Sequence, residues 1–356
     1  MVEYRITAEE RTAFKRCRRQ WDFFSPHRRN LRSNEVSEPA LPAAIKDALA
    51  VYYYPGTWDW QHEVTQPLVH KALKRSLDDA SATELLNQGL AVLDCYDAWA
   101  NAVDDFAPVK INLDVAALVP DPDDLERGLL VHDGSPVIYP CRIDLVAVDA
   151  VDEYWVVCHQ IVDEWQDIDR LDRDEEAVAG CWAFEHDYLG VQIAGTIHNE
   201  LRIGGPLTFP PAGSTTTRTP KAVAQHEASG GGRSLPQHQR VSVQAARGHA
   251  PNRIEQRTAG VLRRTRIRRS RHEIASVGTL IAAEAVDMAD WPTIYPTFAE
   301  HCRDCEFREP CSALTAGSDA EPLLQAHFRQ APDDVGKPRL GQSSWGFGRG
   351  AAPPRW

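Results

Sequence analysis

The chain has 356 residues, 43% hydrophobic and 25% charged, which is the composition of a folded protein with a sizeable core. No apolar run approaches the ~20 residues of a membrane span, and the first 30 residues are polar and basic, unlike a secretory leader; the expected location is the cytoplasm. A net charge of -12 argues against a polyanion partner for the surface as a whole.

Two short stretches reverse that sign. Residues 11–32 carry eight Lys or Arg against Asp22 alone, and residues 253–271 carry eight Arg against Glu255 alone. Basic stretches this dense on an acidic body fit either a local groove for a polyanion or two solvated helix faces.

In chain order, Thr7 with Glu10 three residues on forms a capping box that opens a helix over 7–24. Phe14, Cys17, Trp21 and Phe24 recur at steps of three and four and give it one apolar stripe, with Arg16, Arg18 and Arg19 off that stripe. Trp21, Phe23 and Phe24 suit core packing better than stacking on bases. A second helix is predicted over 42–54, before the Pro55-Gly56 turn, and helical spacing runs through 67–104. The texture then changes: 109–113, 128–131, 137–148 and 154–162 are rich in Val and Ile and separated by turn signals, and read as strands. Residues 172–188 read as a helix and 190–200 as a strand. The order predicts an α/β protein, a mixed central sheet flanked by helices.

Residues 204–252 are rich in Gly, Pro, Ser and Gln and read as a disordered insertion. Helix is predicted again over 257–289, and the tail, 317–356, reads as disordered. The expected organisation is one domain over 1–316. It comprises a helical part (1–106), a sheet core (107–203), the insertion (204–252) and an Arg-rich helix with a cysteine cluster (253–316).

Eight cysteines in a reducing compartment call for an explanation other than disulfides. Cys302, Cys305 and Cys311 follow a Cys-x2-Cys-x5-Cys spacing, with Pro310 turning the chain before the last. Cys-x2-Cys lets two thiolates converge on one centre, and the third comes round in a tight turn. Tetrahedral zinc and a four-iron cluster both want a fourth ligand. Cys17 and His301 are the candidates, although Cys17 also fits a buried core position on its stripe.

An Arg- and aromatic-rich opening containing Phe14, Cys17 and Trp21, paired with that C-terminal cysteine spacing, resembles the iron–sulfur branch of the PD-(D/E)XK nucleases. That branch includes RecB/AddB-like recombination nucleases and CRISPR-associated spacer-trimming exonucleases. The resemblance implies a RecB-like restriction-endonuclease-type core and a C-terminal cysteine staple. Its cofactor would be a [4Fe–4S] cluster held by Cys17, Cys302, Cys305 and Cys311, with zinc as the alternative.

The same resemblance places the hydrolytic centre. Arg142-Ile143-Asp144-Leu145-Val146 is similar to the family strand whose Asp binds Mg²⁺ or Mn²⁺, with Cys141 where glycine is usual. Tyr154-Trp155-Val156-Val157-Cys158-His159-Gln160 is similar to the next strand, but Cys158 stands at the acid and Gln160 at the lysine. Lys46 occupies the place of an early-helix histidine, and Glu176 opens the stretch that matches the later Gln-x3-Tyr helix. A neutral thiol is a poor Mg²⁺ ligand, so the expectation is an inactive or altered centre around Asp144, Gln160 and Glu176. Asp163, Glu164, His159 and Cys158 are possible substitute ligands.

The implied function is metal-dependent phosphodiester hydrolysis in DNA repair or recombination. Its alternatives are an inactive homologue that binds DNA or assembles a complex, and a zinc-stapled protein with no nucleic-acid role. Implied partners are DNA, chiefly single-stranded, and a helicase or other repair subunit; no membrane is implied. Arg16, Arg18, Arg19, Arg263, Arg264 and Arg266 are the candidate phosphate contacts.

Overall fold

The computed structural model describes residues 3–34, 41–77, 83–203, 253–290 and 293–331. The predicted insertion at 204–252 and residues 332–356 of the predicted tail lie outside them.

The chain opens with a short strand, β1 (Tyr4–Arg5), and two helices, α1 (Ala8–Arg16) and α2 (Arg18–Phe24). The capping box forms: Glu10 N–H donates to Thr7 Oγ1 at 3.2 Å, and Thr7 N–H donates to Glu10 Oε2 at 3.4 Å. The single helix predicted over 7–24 is broken at Cys17, which is extended at φ -162° and ψ 113°. Two contacts from the distant C-terminal region fix the break. Thr297 N–H donates to Cys17 Sγ at 3.4 Å, and Arg19 N–H donates to the Tyr295 carbonyl at 3.1 Å. Trp21, Phe23 and Phe24 are buried, as core packing requires.

Next come β2 (Leu31–Ser33) and three helices, α3 (Leu41–Tyr52), α4 (His62–Ser76) and α5 (Thr83–Val103). The sheet region holds β3 (Phe106–Leu118), β4 (Pro120–Asp121), β5 (Asp124–Gly128), β6 (Val137–Asp149) and β7 (Tyr154–Val162). After it come α6 (Ile168–Asp172), α7 (Glu175–Asp187) and β8 (Ile193–Arg202). The C-terminal part supplies β9 (Ile254–Ala259), β10 (Leu262–Arg268), α8 (Arg271–Ala289), α9 (Arg308–Thr315), α10 (Glu321–His327) and β11 (Phe328–Gln330).

The central sheet has seven described strands in the order β1-β6-β7-β8-β10-β9, with β3 also paired to β6. It is mixed: β1 runs parallel to β6 and β7 parallel to β8, while the other pairs are antiparallel. Leu145, Ala147, Trp155 and Val157 pack on one face with Ile45, Leu49, Leu73 and Tyr96 of α3–α5. Val146 and Val156 pack on the other with α7, α8 and the aromatic stripe of α1–α2. Strand alternation with period two divides these residues between the faces. On that second face α8 lies close to α7 at Gly278, where a Cβ would stand 2.6 Å from the Trp182 indole nitrogen. Glycine is therefore the residue that fits.

Three expectations are corrected. The helix predicted over 257–289 begins only at Arg271; 254–268 is a hairpin whose strands close around Gly260 and Val261. The strand predicted at 128–131 is a single bridge, Leu130 to Pro136, with β5 preceding it. The tail is ordered through residue 331: β11 pairs with β2, and Phe328 stacks on Phe307 at 4.7 Å. Burial of Phe328 and Leu324 outweighs the polar texture around them. Among the described residues no helix is long and apolar enough to cross a membrane.

Candidate functional site

The Cys17 break directs its thiol toward the C-terminal trio. Cys302 ends a 3₁₀ turn (Glu300–Cys302), Cys305 follows in the next turn, and Cys311 lies in α9. All four cysteines line one cavity of about 140 Å³, together with Thr297 and His301. None of the eight cysteines is in a disulfide. Arg19 Nη1 donates to the Cys311 carbonyl at 3.3 Å and approaches Cys311 Sγ at 3.7 Å. His301 Nε2 is buried with no hydrogen-bond partner. Burial first, and then Cys17 and Cys311 nearby, push the Cys305 thiol up, against a Phe307 N–H that lowers it.

Thiols crowded in this way ionise together only around a strongly cationic centre. Among the described residues no three His, Cys, Asp or Glu are placed to hold a single metal ion. One zinc, with bonds of about 2.3 Å, draws its thiolates to within about 4 Å of one another. A four-iron cluster spreads four thiolates around a larger body; four thiols on one cavity, with N–H donors at Cys17 and Cys311, are donors of the kind either group uses.

The second centre lies where β6 and β7 part. Their pairing ends at Leu145 and Val157, so Asp144 stands just beyond the ladder and its Oδ2 accepts from His159 N–H at 2.9 Å. Lys46 reaches it from α3, with Nζ 3.1 Å from Oδ2 and 3.4 Å from Oδ1. The Asp144 side chain is 17% exposed and that of Lys46 42%. Period two brings Cys158 and Gln160 to the Asp144 side. It sends the His159 ring to the opposite face, where it stacks 5.6 Å from Tyr53. The ligand role considered for His159 is therefore overturned; only its backbone N–H meets Asp144.

Cys158 is a neutral thiol. Burial raises it well above its ordinary value, and Asp144 and Asp174 add to the rise. Gln160 Nε2 donates to Asp174 Oδ2 at 3.4 Å, and its Oε1 accepts from Gln166 at 3.3 Å. Asp174 caps α7 by accepting from Ala177 N–H at 3.0 Å. Glu176 follows in the first turn of α7, raised by desolvation and by Asp174, with Lys46 opposing. His198 is the register partner of Cys158. It is fully buried, its Nδ1 lies 3.8 Å from Asp174 Oδ2 without a hydrogen bond, and burial lowers its pKa to about 4. Asp163 and Glu164 are exposed at the start of the β7–α6 connection. Among the described residues no hydrogen bond or ion pair joins them to Asp144.

Asp174 and His198 belong to this centre and were not singled out from the sequence. Asp174 had a signal as the N-cap before Glu175-Glu176. His198 had one in the buried alternation Thr196, His198, Glu200 along β8. The set does not fit a Mg²⁺ or Mn²⁺ ion as it stands. An ammonium faces both oxygens of Asp144, the neighbouring Cys158 is a neutral thiol, and Asp174 is turned to its cap.

The candidate phosphate contacts divide sharply. Arg263 and Arg264 are buried, Arg263 bonded to Glu200 at 2.5 Å and Arg264 to Asp104 at 2.8 Å. Arg266 bonds Asp105 at 2.7 Å. Their assignment to a nucleic-acid groove is corrected, because internal carboxylates neutralise them. Arg16 is exposed and bonds only Gln20, at 3.0 Å; Arg18 lies over the Phe14 ring at 4.5 Å; Arg19 is half-exposed at the cysteine cavity. A groove of about 500 Å³, lined by Glu9, Arg16, Gln20, Glu176 and Glu306 among others, lies between the two centres. Gln20 also borders the cysteine cavity.

Compared with known proteins, the chain matches no family model and no curated sequence.

Proposed function

We propose that the chain is a nucleic-acid-binding protein of the RecB-like iron–sulfur type, with a nuclease-like core whose hydrolytic centre is altered. The observation that carries this reading is the meeting of Cys17 with Cys302, Cys305 and Cys311 around one cavity, across nearly 300 residues of chain. A [4Fe–4S] cluster there would be held by these four thiolates and would staple the α1–α2 break to the C-terminal turns. Arg19 and the Thr297 N–H would stabilise the charge on the sulfurs.

Single-stranded DNA is the proposed ligand, in repair or recombination, with a helicase or other repair subunit as the proposed protein partner. Arg16, Arg18 and Arg19 supply cationic groups without carboxylate ion pairs among the described residues; Arg19 lines the cysteine cavity and Arg16 the neighbouring groove. The altered centre follows from Lys46 on Asp144 and from the neutral Cys158. A second reading, metal-dependent cleavage, is favoured by one observation: Asp174 and Glu176 stand close enough to Asp144 to be felt electrostatically by the same groups.

The test is made on anaerobically purified protein. The expected result is a brown protein with about four iron and four sulfide per chain, lost in Cys17→Ala, that binds single-stranded DNA with a strong salt dependence. Zinc in place of iron, or full metal content in Cys17→Ala, overturns the cluster assignment. DNA cleavage with Mg²⁺ or Mn²⁺ that vanishes in Asp144→Ala replaces the altered-centre reading with the second one.

A further inference from the structure

The Asp144 centre differs from a metal-binding one by two changes that compensate electrically. A thiol in place of a carboxylate at residue 158 removes one negative charge. An ammonium in place of a divalent ion removes one positive charge. The Asp144–Lys46 pair itself, one carboxylate facing one monovalent cation, is neutral, as two carboxylates around a divalent ion would be.

The geometry supports the same exchange. Lys46 Nζ faces both Asp144 oxygens, at 3.1 and 3.4 Å. The carboxylate is held from behind by His159 N–H at 2.9 Å, at the point where β6 and β7 separate. Lys46 is carried by α3, whose Ile45, Ala48 and Leu49 are fully buried, so the root of its side chain is fixed. Glu176, Asp174 and Cys158 are the other groups around the pair: two carboxyl groups, of which burial raises Glu176, and a thiol that burial keeps neutral. The ammonium is the cation of that cluster.

We propose that Lys46 is the resident cation of this centre: it fills the place of a metal ion and grips a backbone phosphate directly. An ammonium has three donors. Two point at Asp144, and a side chain 42% exposed leaves the third for a phosphate oxygen. Unlike a bound metal, it does not lower the pKa of water to supply hydroxide, so the centre holds a phosphodiester without cutting it. The inference rests on the proposed function for the nature of the ligand, but not for the displacement of metal.

Two measurements separate these parts, each on full-length, cluster-intact protein with folding checked by circular dichroism. The first is Mn²⁺ binding followed by the free-ion electron paramagnetic resonance signal. Wild type is expected to take up no Mn²⁺ at about 1 mM, and Cys158→Asp alone to take up no more, because Lys46 still faces Asp144. Lys46→Ala/Cys158→Asp is expected to bind at least about tenfold more tightly than Cys158→Asp, a difference of about 1.4 kcal/mol. Lys46→His is the second route should the double variant fail to fold, and it too is expected to gain Mn²⁺.

The second measurement is fluorescence anisotropy with a labelled oligothymidine. Affinity is expected to be equal in EDTA and in Mn²⁺, to fall about tenfold in Lys46→Met, and to stay within about threefold in Lys46→Arg. Mn²⁺ uptake by wild type, or equal uptake by Cys158→Asp with and without Lys46, overturns the displacement of metal. EDTA-sensitive binding, or Lys46→Met binding as wild type does, overturns the phosphate grip. An oligonucleotide that never binds overturns the proposed function and the grip together, while the Mn²⁺ result still decides whether Lys46 holds the cation's place.

Discussion

Residues 11–32 and 253–271 have the same charge in the sequence, eight basic residues against one acid each, and the fold puts them to opposite uses. All eight arginines of the second segment have carboxylate partners within the chain. Arg263 meets Glu200, Arg264 meets Asp104, Arg268 meets Glu153 and Arg271 meets Glu185, while Arg253, Arg257, Arg266 and Arg269 pair with Asp105, Asp172 or Glu273. In the first segment half are paired: Arg11 and Lys15 with Glu284, and Arg28 and Arg29 with Asp22. Arg16, Arg18 and Arg19 instead meet an amide, aromatic rings and the cysteine cavity. Linear charge density therefore says little about surface potential. What counts is how much acid the fold brings alongside.

The largest effect expected from this difference is at Arg264. Its guanidinium bonds Asp104, Asn199 and Tyr53 in a buried network. Arg264→Met removes the guanidinium that neutralises the buried Asp104 carboxylate, which costs about 3–5 kcal/mol. Equilibrium unfolding in guanidinium chloride measures it, and an unchanged midpoint would mean that the second segment is no more structural than the first.

The same network gives a pH dependence. Asn199 links Arg264 to His159, and His198 lies one residue before it on β8. Burial lowers both histidines to about 4, against an ordinary 6.5. The unfolded chain takes up these protons below about 6.5 and the folded chain only near 4. The stability they contribute is therefore complete above 6.5 and is lost as the pH falls toward 4, on the order of 3 kcal/mol each. His198→Asn should shrink the loss of unfolding free energy between pH 7.5 and 4.5; an undiminished loss would place its origin elsewhere.

For the first segment the expected effect is on binding and not on folding. Arg16→Gln with Arg18→Gln should weaken binding to single-stranded DNA about tenfold and flatten the logarithmic salt slope by about 1.4. Stability should stay within about 0.5 kcal/mol for the change at exposed Arg16. The smallest effect is expected at Arg271, whose pair with Glu185 is half-exposed. Arg271→Gln should change stability by less than about 1 kcal/mol and leave DNA binding unaltered. Weakened binding in that variant would restore the second segment to the interface.

Much of the fold was legible because local physics and tertiary packing agree. Thr7 and Glu10 cap α1 in the sequence and in the structure, and 154–162 is a strand in both. The hairpin over 254–268 was not legible by polarity, because two of its buried positions are arginines: Arg263 and Arg264 lie on opposite faces and both are covered. Its signals were the β-branched residues Ile254, Thr258, Thr265 and Ile267 and the turn at Gly260. In the candidate site, Asp144, Cys158 and Gln160 were placed by the family resemblance, with strand alternation putting Cys158 and Gln160 on one face. Asp174 and His198 could not, because they reach the centre from α7 and β8 through chain crossings that no local pattern records.

By itself the sequence determined most of the helices, the core strands β3, β6, β7 and β8, and the spacing of Cys302, Cys305 and Cys311, since each depends on residues within a few turns of one another. Only the tertiary structure decided that Cys17 leaves its helix to join them, that Lys46 faces Asp144, and which arginines keep their charge available. The reason is common to all three: a thiol's neighbours, a carboxylate's counter-charge and an arginine's partner are set by distances between residues far apart in the chain. Electrostatic and metal-binding energies depend on those distances and on burial, and neither can be read from the order of residues along the chain.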